Sequence, residues 1–293
     1  MAIIDEPLFF SRRLGYGLAP NEDVGPDIRA WAVGQISSVP PLDFHGPNQT
    51  NLRKDLPDYA EPVTNTVDAC KAWGELLDLE EELQAELGSE NVSSFSITRR
   101  LEEEVWKPQS VYPRWRDSLV QTLTAVHGPA PVFERFWAFW VNHFAVRTDP
   151  FVTLLYGAHT RSIRDNMTGT FSDLLVAGAL SPAMSFFLDN WHSTGPDSPF
   201  SEGGTETVNE NLARELHELH TTSPAGSYSQ ADITETAYAL TGWTFWGGAK
   251  FEGKRPEGVT YGTYFDQHSA RRRLHARILT WGWQCPPPSR WPL

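Results

Sequence analysis

The sequence predicts an all-α or predominantly α protein, a multi-helix globular bundle with long loops. Apolar residues recur at helical spacing from Val67 to Leu87, and VFERFWAFWVNHF, Val132 to Phe144, has the composition and length of a buried helix. No useful strand alternation appears before Val259 to Phe265, which leaves few ways to build a sheet.

Taken in order, a short helix at Phe9 to Leu14 runs into a turn at Gly15 and Gly17, and a second helix is expected over Asp27 to Ile36. Pro40, Pro41, Gly46 and Pro47 interrupt regular structure. In the next helix Ala69, Trp73, Leu76, Leu77, Leu79, Leu83 and Leu87 form the apolar stripe, with glutamates opposite. Helical patterns resume at Ile97 to Trp106 and Trp115 to His127, then at Ala158 to Asn166, Phe171 to Gly178 and Ala183 to Asp189. Ser193 to Gly204 carries three glycines and two prolines and reads as a loop.

Composition narrows the function classes. With 24 basic and 37 acidic residues the formal charge is −13, so no general nucleic-acid or anionic-membrane binding is expected, since both need a positive field. No apolar run is long enough for a membrane span. Cys70 and Cys285 stand far apart without a C-x-x-C partner, which points to neither a disulfide framework nor a cysteine zinc site. MAIIDEPLFFSRRLGYG has acidic residues before a short apolar run and arginines after it, the wrong order for an export signal, so the default expectation is cytoplasmic. Twelve tryptophans fit either a packed helical core or an aromatic-lined cleft.

The densest polar stretch is NENLARELHELHT, residues 209–221. Thr207 followed by Glu210 has capping-box spacing, which would start a helix there. At 100° per residue, Leu212, Ala213, Leu216, Leu219 and His220 share an apolar side, while His217 is expected in solvent. Glu210 and Arg214 are spaced for an ordinary surface ion pair. An imidazole on an apolar face, as at His220, is either a satisfied core group or a ligand or proton carrier. Glu215 borders that face with Glu218 at i,i+3, a pair able to hold a hard cation or exchange a proton. HELH is one residue short of the H-E-x-x-H zinc spacing. Asn142 and His143 close the aromatic helix, and Asp189 and Asn190 close the apolar helix at Ala183 to Asp189; they serve as helix caps or converge with the 209–221 helix in a polar nest. Ser229 and Asp232 have capping-box spacing, and Gly242 suits a left-handed C-terminal cap after Leu240.

FSRRLGYG, FWAFWVNHF, SPAMSFFLDNWHS, NENLARELHELHT and GSYSQADITETAYALTGWTF, in this order, resemble the bacterial family catalogued as domain of unknown function 1800. The resemblance covers most of residues 8–268 and implies a single helical domain over 1–268. It places the family's polar signature on Asn142, His143, Asp189, Asn190, Asn209, Glu210, Asn211, Arg214, Glu215, Glu218 and His220, continuing through Tyr228, Asp232, Thr241, Gly242 and Trp243. It also implies a protein partner from a second uncharacterised family, numbered 1501. Where relatives carry His-Asp, this chain has His268 followed by Ser269, and residues 269–293 read as an atypical tail, disordered or frameshifted.

Two functions are therefore carried forward. The first is a metal-dependent hydrolase or oxidoreductase, in which His143, Asp189, Glu215 and His220 hold a divalent metal. In it Glu215, Glu218, His220 and Arg214 carry the chemistry, and Asn142, Asn190, Asn211 and Trp243 bind substrate. The second is a non-catalytic binding or assembly protein acting with a partner. No G-x-S-x-G elbow and no phosphate-cradling glycine loop is present.

Overall fold

The computed structural model describes residues 11–17, 24–40, 42, 66–87, parts of 97–103 and 121–130, 131–147, 149–195, 208–245 and 261–263. Within them the protein is predominantly α-helical. Helix α1 spans Ile28–Gln35 and is capped by Asp27, whose carboxylate accepts from the backbone N–H groups of Arg29 and Ala30. Helix α2, Thr66–Leu87, buries Ala69, Trp73, Leu76, Leu77 and Leu83 as the stripe requires. Residues 11–14 are helical, as are the described positions within 97–103 and 121–125. The 269–293 tail and the loop residues 196–207 lie outside the described residues.

Helices α3 (Pro131–His143) and α4 (Pro150–Asn166) form the centre. The sequence predicts only the second half of α4. Its first turns exist because Asp149 accepts from Val152 N at 2.8 Å and Pro150 occupies the first helical turn, where its missing N–H costs nothing. α4 packs against α2, α3, α5 (Phe171–Ala179) and α6 (Pro182–Phe187). Thr170 and Asp173 form a capping box on α5, and Ser181 caps α6 by accepting from Met184 N. α6 stops at Phe187, two residues earlier than the pattern suggests, because Asp189 turns left-handed at φ 58° and starts the 3-10 turn Asn190–His192.

The 209–221 segment forms α7 (Asn211–Glu215), which widens into a π turn over Leu216–Thr221. α8, Gln230–Leu240, begins at the expected Ser229/Asp232 capping box and ends at Gly242 with φ 72°. β1 (Trp243–Phe245) then pairs antiparallel with β2 (Tyr261–Thr263), Thr244 opposite Gly262. β2 lies inside the predicted strand, whereas β1 has no sequence signal because three residues show no alternation.

Two apolar clusters fill the interior. One gathers Trp137, Phe144, Ile163, Leu212, Leu216 and Trp243 from α3 to β1. The other surrounds Trp73, whose ring meets Phe151, Phe186, Trp191 and Phe245 edge-on at 4.6–6.3 Å. Trp73, Trp137 and Trp243 are thus core residues. Between α3 and α4 a fully buried ion pair joins Arg164 to Glu134 at 2.8 Å. The guanidinium also donates to Pro40 O and lies 4.7 Å from the Phe133 and Trp137 ring centres.

Glu134→Ala would leave Arg164 buried without its counter-charge. Urea denaturation is expected to show a loss of about 3–5 kcal/mol. Arg99→Ala, removing an exposed partner of Glu103, is expected to change stability by less than about 1 kcal/mol.

Candidate histidine site at the π turn

The polar signature begins as a clamp between helices. Thr207 lies outside the described residues, and the expected Thr207/Glu210 capping box does not set the start of α7: Glu210 occupies the cap position without a side-chain cap bond. Asn209 does the local work, its Oδ1 accepting from Asn211 N at 2.8 Å. Glu210 turns to α8, accepting from Thr234 Oγ1 at 2.7 Å, Gln230 Nε2 at 2.8 Å and Arg214 Nη2 at 3.2 Å. Those bonds, Thr234 first, hold its carboxyl below the usual range. Arg214 also donates to Glu218 at 3.3 Å and to Gln230 at 3.2 Å, so its guanidinium is committed to a network tying α7 to α8.

Beyond Glu215 the helix widens, and Thr222 N donates to His217 O, five residues back. Each residue of a π turn advances through a smaller angle than the 100° of an α-helix. Leu212, Ala213, Leu216 and His220 are buried as predicted, but Leu219 is rotated out and is 60% exposed. His217 is not solvated: it is buried at 7% exposure, with Nε2 2.9 Å from Thr236 Oγ1. Angular periodicity identifies a face without identifying its neighbour, and α8 covers this flank.

Three histidines surround Phe144. His159 on α4 is fully enclosed, with Nδ1 2.7 Å from Ser181 Oγ and Nε2 2.8 Å from Phe144 O. Burial pushes its pKa down to about 4. His220 packs on the Phe144 ring at 5.1 Å and on the His143 ring at 5.7 Å. Both of its ring nitrogens are buried without a hydrogen-bond partner. Burial, reinforced by His143 and His159, pushes its pKa to about 4, so the ring is neutral at pH 7. His143 is half-buried, its Nε2 3.4 Å from His220 O and its ring against Phe139 and Trp140.

The other candidates scatter. Asn142 and Asn211 are exposed. Asp189 is exposed and left-handed, and its carbonyl accepts from Asn209 Nδ2 at 3.5 Å. Asn190 is buried and donates to Leu240 O and Trp243 O, pinning the 3-10 turn to the end of α8. Trp243 is buried, its Nε1 donating to Leu180 O at 3.0 Å, and Thr241 donates to Tyr238 O. Glu215 has its carboxyl raised by burial and then by Glu218. Asp232 is the α8 cap, as expected, and Tyr228 stacks near His217. Among the described residues no group of three or more His, Cys, Asp or Glu side chains lies together to hold a metal ion. Of His143, Asp189, Glu215 and His220, the structure documents contact only between the two histidines.

His159, Glu134 and Arg164 escaped the sequence reading. Their only trace was ionisable residues inside apolar stretches, VFERFWAF for Glu134 and LLYGAHTRSI for the other two.

A family model described as Protein of unknown function (DUF1800) matches residues 10–277. The chain belongs to that family. The DUF1800 match runs from the opening helix past His268 and takes in every element described above. No match was found among curated proteins or solved structures. Among the described residues no helix is long and apolar enough to cross a membrane.

Because His220 titrates near 4 when folded and near 6.5 when free, the unfolded chain binds its proton first on acidification. Its contribution is complete above about pH 6.5 and lost as pH falls toward 4, amounting to roughly 3 kcal/mol. Thermal melts between pH 7 and 4 are expected to fall, and His220→Leu is expected to flatten that slope. An unchanged slope would place the acid sensitivity elsewhere.

Proposed function

We propose that this DUF1800 protein is a binding or assembly protein that acts with a protein partner through an aromatic face on α3 and the π turn. One observation carries the reading. Phe136, Phe139, Phe171 and Leu219 are 44%, 57%, 47% and 60% exposed. Ring contacts connect two of the four, from Phe171 to Trp140 at 6.0 Å and on to Phe139 at 5.0 Å, and lead from Phe139 through His143 to His220. Joined exposed aromatics on a soluble surface are characteristic of interaction sites, where such side chains anchor the partner.

The signature network supports the same reading. Glu210, Arg214 and Gln230 hold α7 against α8, which sets the position of the π turn and of Leu219. The partner proposed is the protein of the family numbered 1501 that the resemblance implies. Direct titration of the two purified proteins is expected to give a defined stoichiometry. Phe139→Ser with Leu219→Ser is expected to weaken binding at least roughly tenfold without lowering the melting temperature. Equal binding by parent and variant would overturn this use of the face.

A metal-dependent hydrolase or oxidoreductase is the second reading, favoured by the Glu215 carboxyl raised by burial beside Glu218. It requires near-stoichiometric divalent metal in protein purified without chelator. That metal should be lost from a folded Glu215→Ala, His220→Ala variant. Metal-free parent protein would count against it.

A further inference from the structure

His220 is one of six described buried side chains with an unpartnered polar atom, beside Trp73, Glu134, Arg164, Ser185 and Asn190, and it is the histidine among them. The side chain is 5% exposed, yet neither ring nitrogen has a partner among the described residues. The other two buried histidines behave differently: His159 uses both nitrogens, and His217 Nε2 meets Thr236. A buried polar group left unsatisfied costs about 1–3 kcal/mol. In native proteins such a group calls for a specific explanation, commonly an ion, a water or a chemical role. It lies in a π turn, an irregularity found frequently at functional sites.

The ring beside it is a second imidazole, His143, whose Nε2 lies 3.4 Å from His220 O, which leaves Nδ1 as the nitrogen it offers an ion. The ring centres of His143 and His220 are 5.7 Å apart with 64° between planes. Two imidazoles on one near-linear two-coordinate ion, each through a nitrogen at about 2 Å, have ring centres roughly 6 Å apart, and a modest bend at the ion brings them to the spacing seen here. His159 is no candidate third ligand, since Ser181 and Phe144 O occupy its nitrogens. The immediate surroundings are aromatic, from Phe139, Trp140 and Phe144.

We infer that His143 and His220 form a two-imidazole site for a late first-row transition-metal ion, with monovalent copper the best fit. Imidazole suits copper and zinc, and an apolar wall without a contacting carboxylate disfavours the hard cations that need oxygen donors. Structural zinc takes four protein ligands and catalytic zinc three, whereas monovalent copper is satisfied by two nitrogens. Half-buried His143 gives the ion its entry. The site shares His143 with the aromatic face but needs no partner, and it excludes the carboxylates of the metalloenzyme reading.

The test is anaerobic titration of the full chain with Cu(I) against a chromophoric Cu(I) chelator. One equivalent should be withdrawn from the chelator. His143→Gln and His220→Leu should each weaken binding roughly 100-fold or more, whereas Glu215→Gln and Asp189→Asn should match the parent. X-ray absorption should find two nitrogen donors. Should His220→Leu fail to fold, His143→Gln at the half-buried position decides the matter by itself. Failure to compete with the chelator, or parent-like affinity in folded His143→Gln, overturns the site. Parent-like copper binding in Phe136→Ser, at an exposed aromatic outside the wall of the two imidazoles, separates it from partner binding.

Discussion

Much of the arrangement depends on the seat of Phe144 on Gly178. The phenyl ring is fully buried, and a Cβ on Gly178 would come within 2.5–2.9 Å of its carbons, so α5 must present a bare backbone there. The residue ends α3, its N–H donating to Trp140 O, and its carbonyl accepts from His159 on α4. Its ring also forms one wall for His143 and His220. A single residue therefore joins α3 and α4 through its backbone and α5 and the π turn through its ring, and the spacing of the two imidazoles depends on that ring.

Around this point several buried polar groups carry framework bonds, while Glu134 Oε1, Arg164 Nε and Asn190 Oδ1 each lack a partner among the described residues. The Arg164–Glu134 pair is enclosed by Phe133 and Trp137, where leaving either charge alone would be costly. Asn190 ties the 3-10 turn to the C-terminal end of α8, and Ser193 O accepts from Gly242 N beside it. These bonds hold non-repetitive backbone in register where no helix ladder can. His220 differs from Glu134, Arg164 and Asn190 in that both of its ring nitrogens lack a partner, so that its side chain makes no framework bond among the described residues.

Much of the helix plan was legible because its signals are local. Capping at Ser229/Asp232, the Gly242 terminator and the Val67 to Leu87 stripe need only neighbouring residues. The extra turns of α4 and the early end of α6 were less legible, because both depend on one residue at a helix boundary, Asp149 and Asp189. Glu210 shows the limit more sharply. Its spacing from Thr207 suggested a cap, whereas two of its partners, Gln230 and Thr234, lie on another helix and the third, Arg214, on its own.

By itself the sequence determined helix class and family membership, since periodicity, capping and motif order are written along the chain. The five quoted segments were sufficient for the family, and the apolar side of α7 was sufficient to bury His220. Only tertiary structure decided that Leu219 faces solvent, that α8 covers His217, and that His143 and His220 adjoin while Asp189 lies at the surface. The reason is geometric: a π turn changes angular phase, and contacts between residues 77 apart depend on how α3 and α7 pack around Phe144.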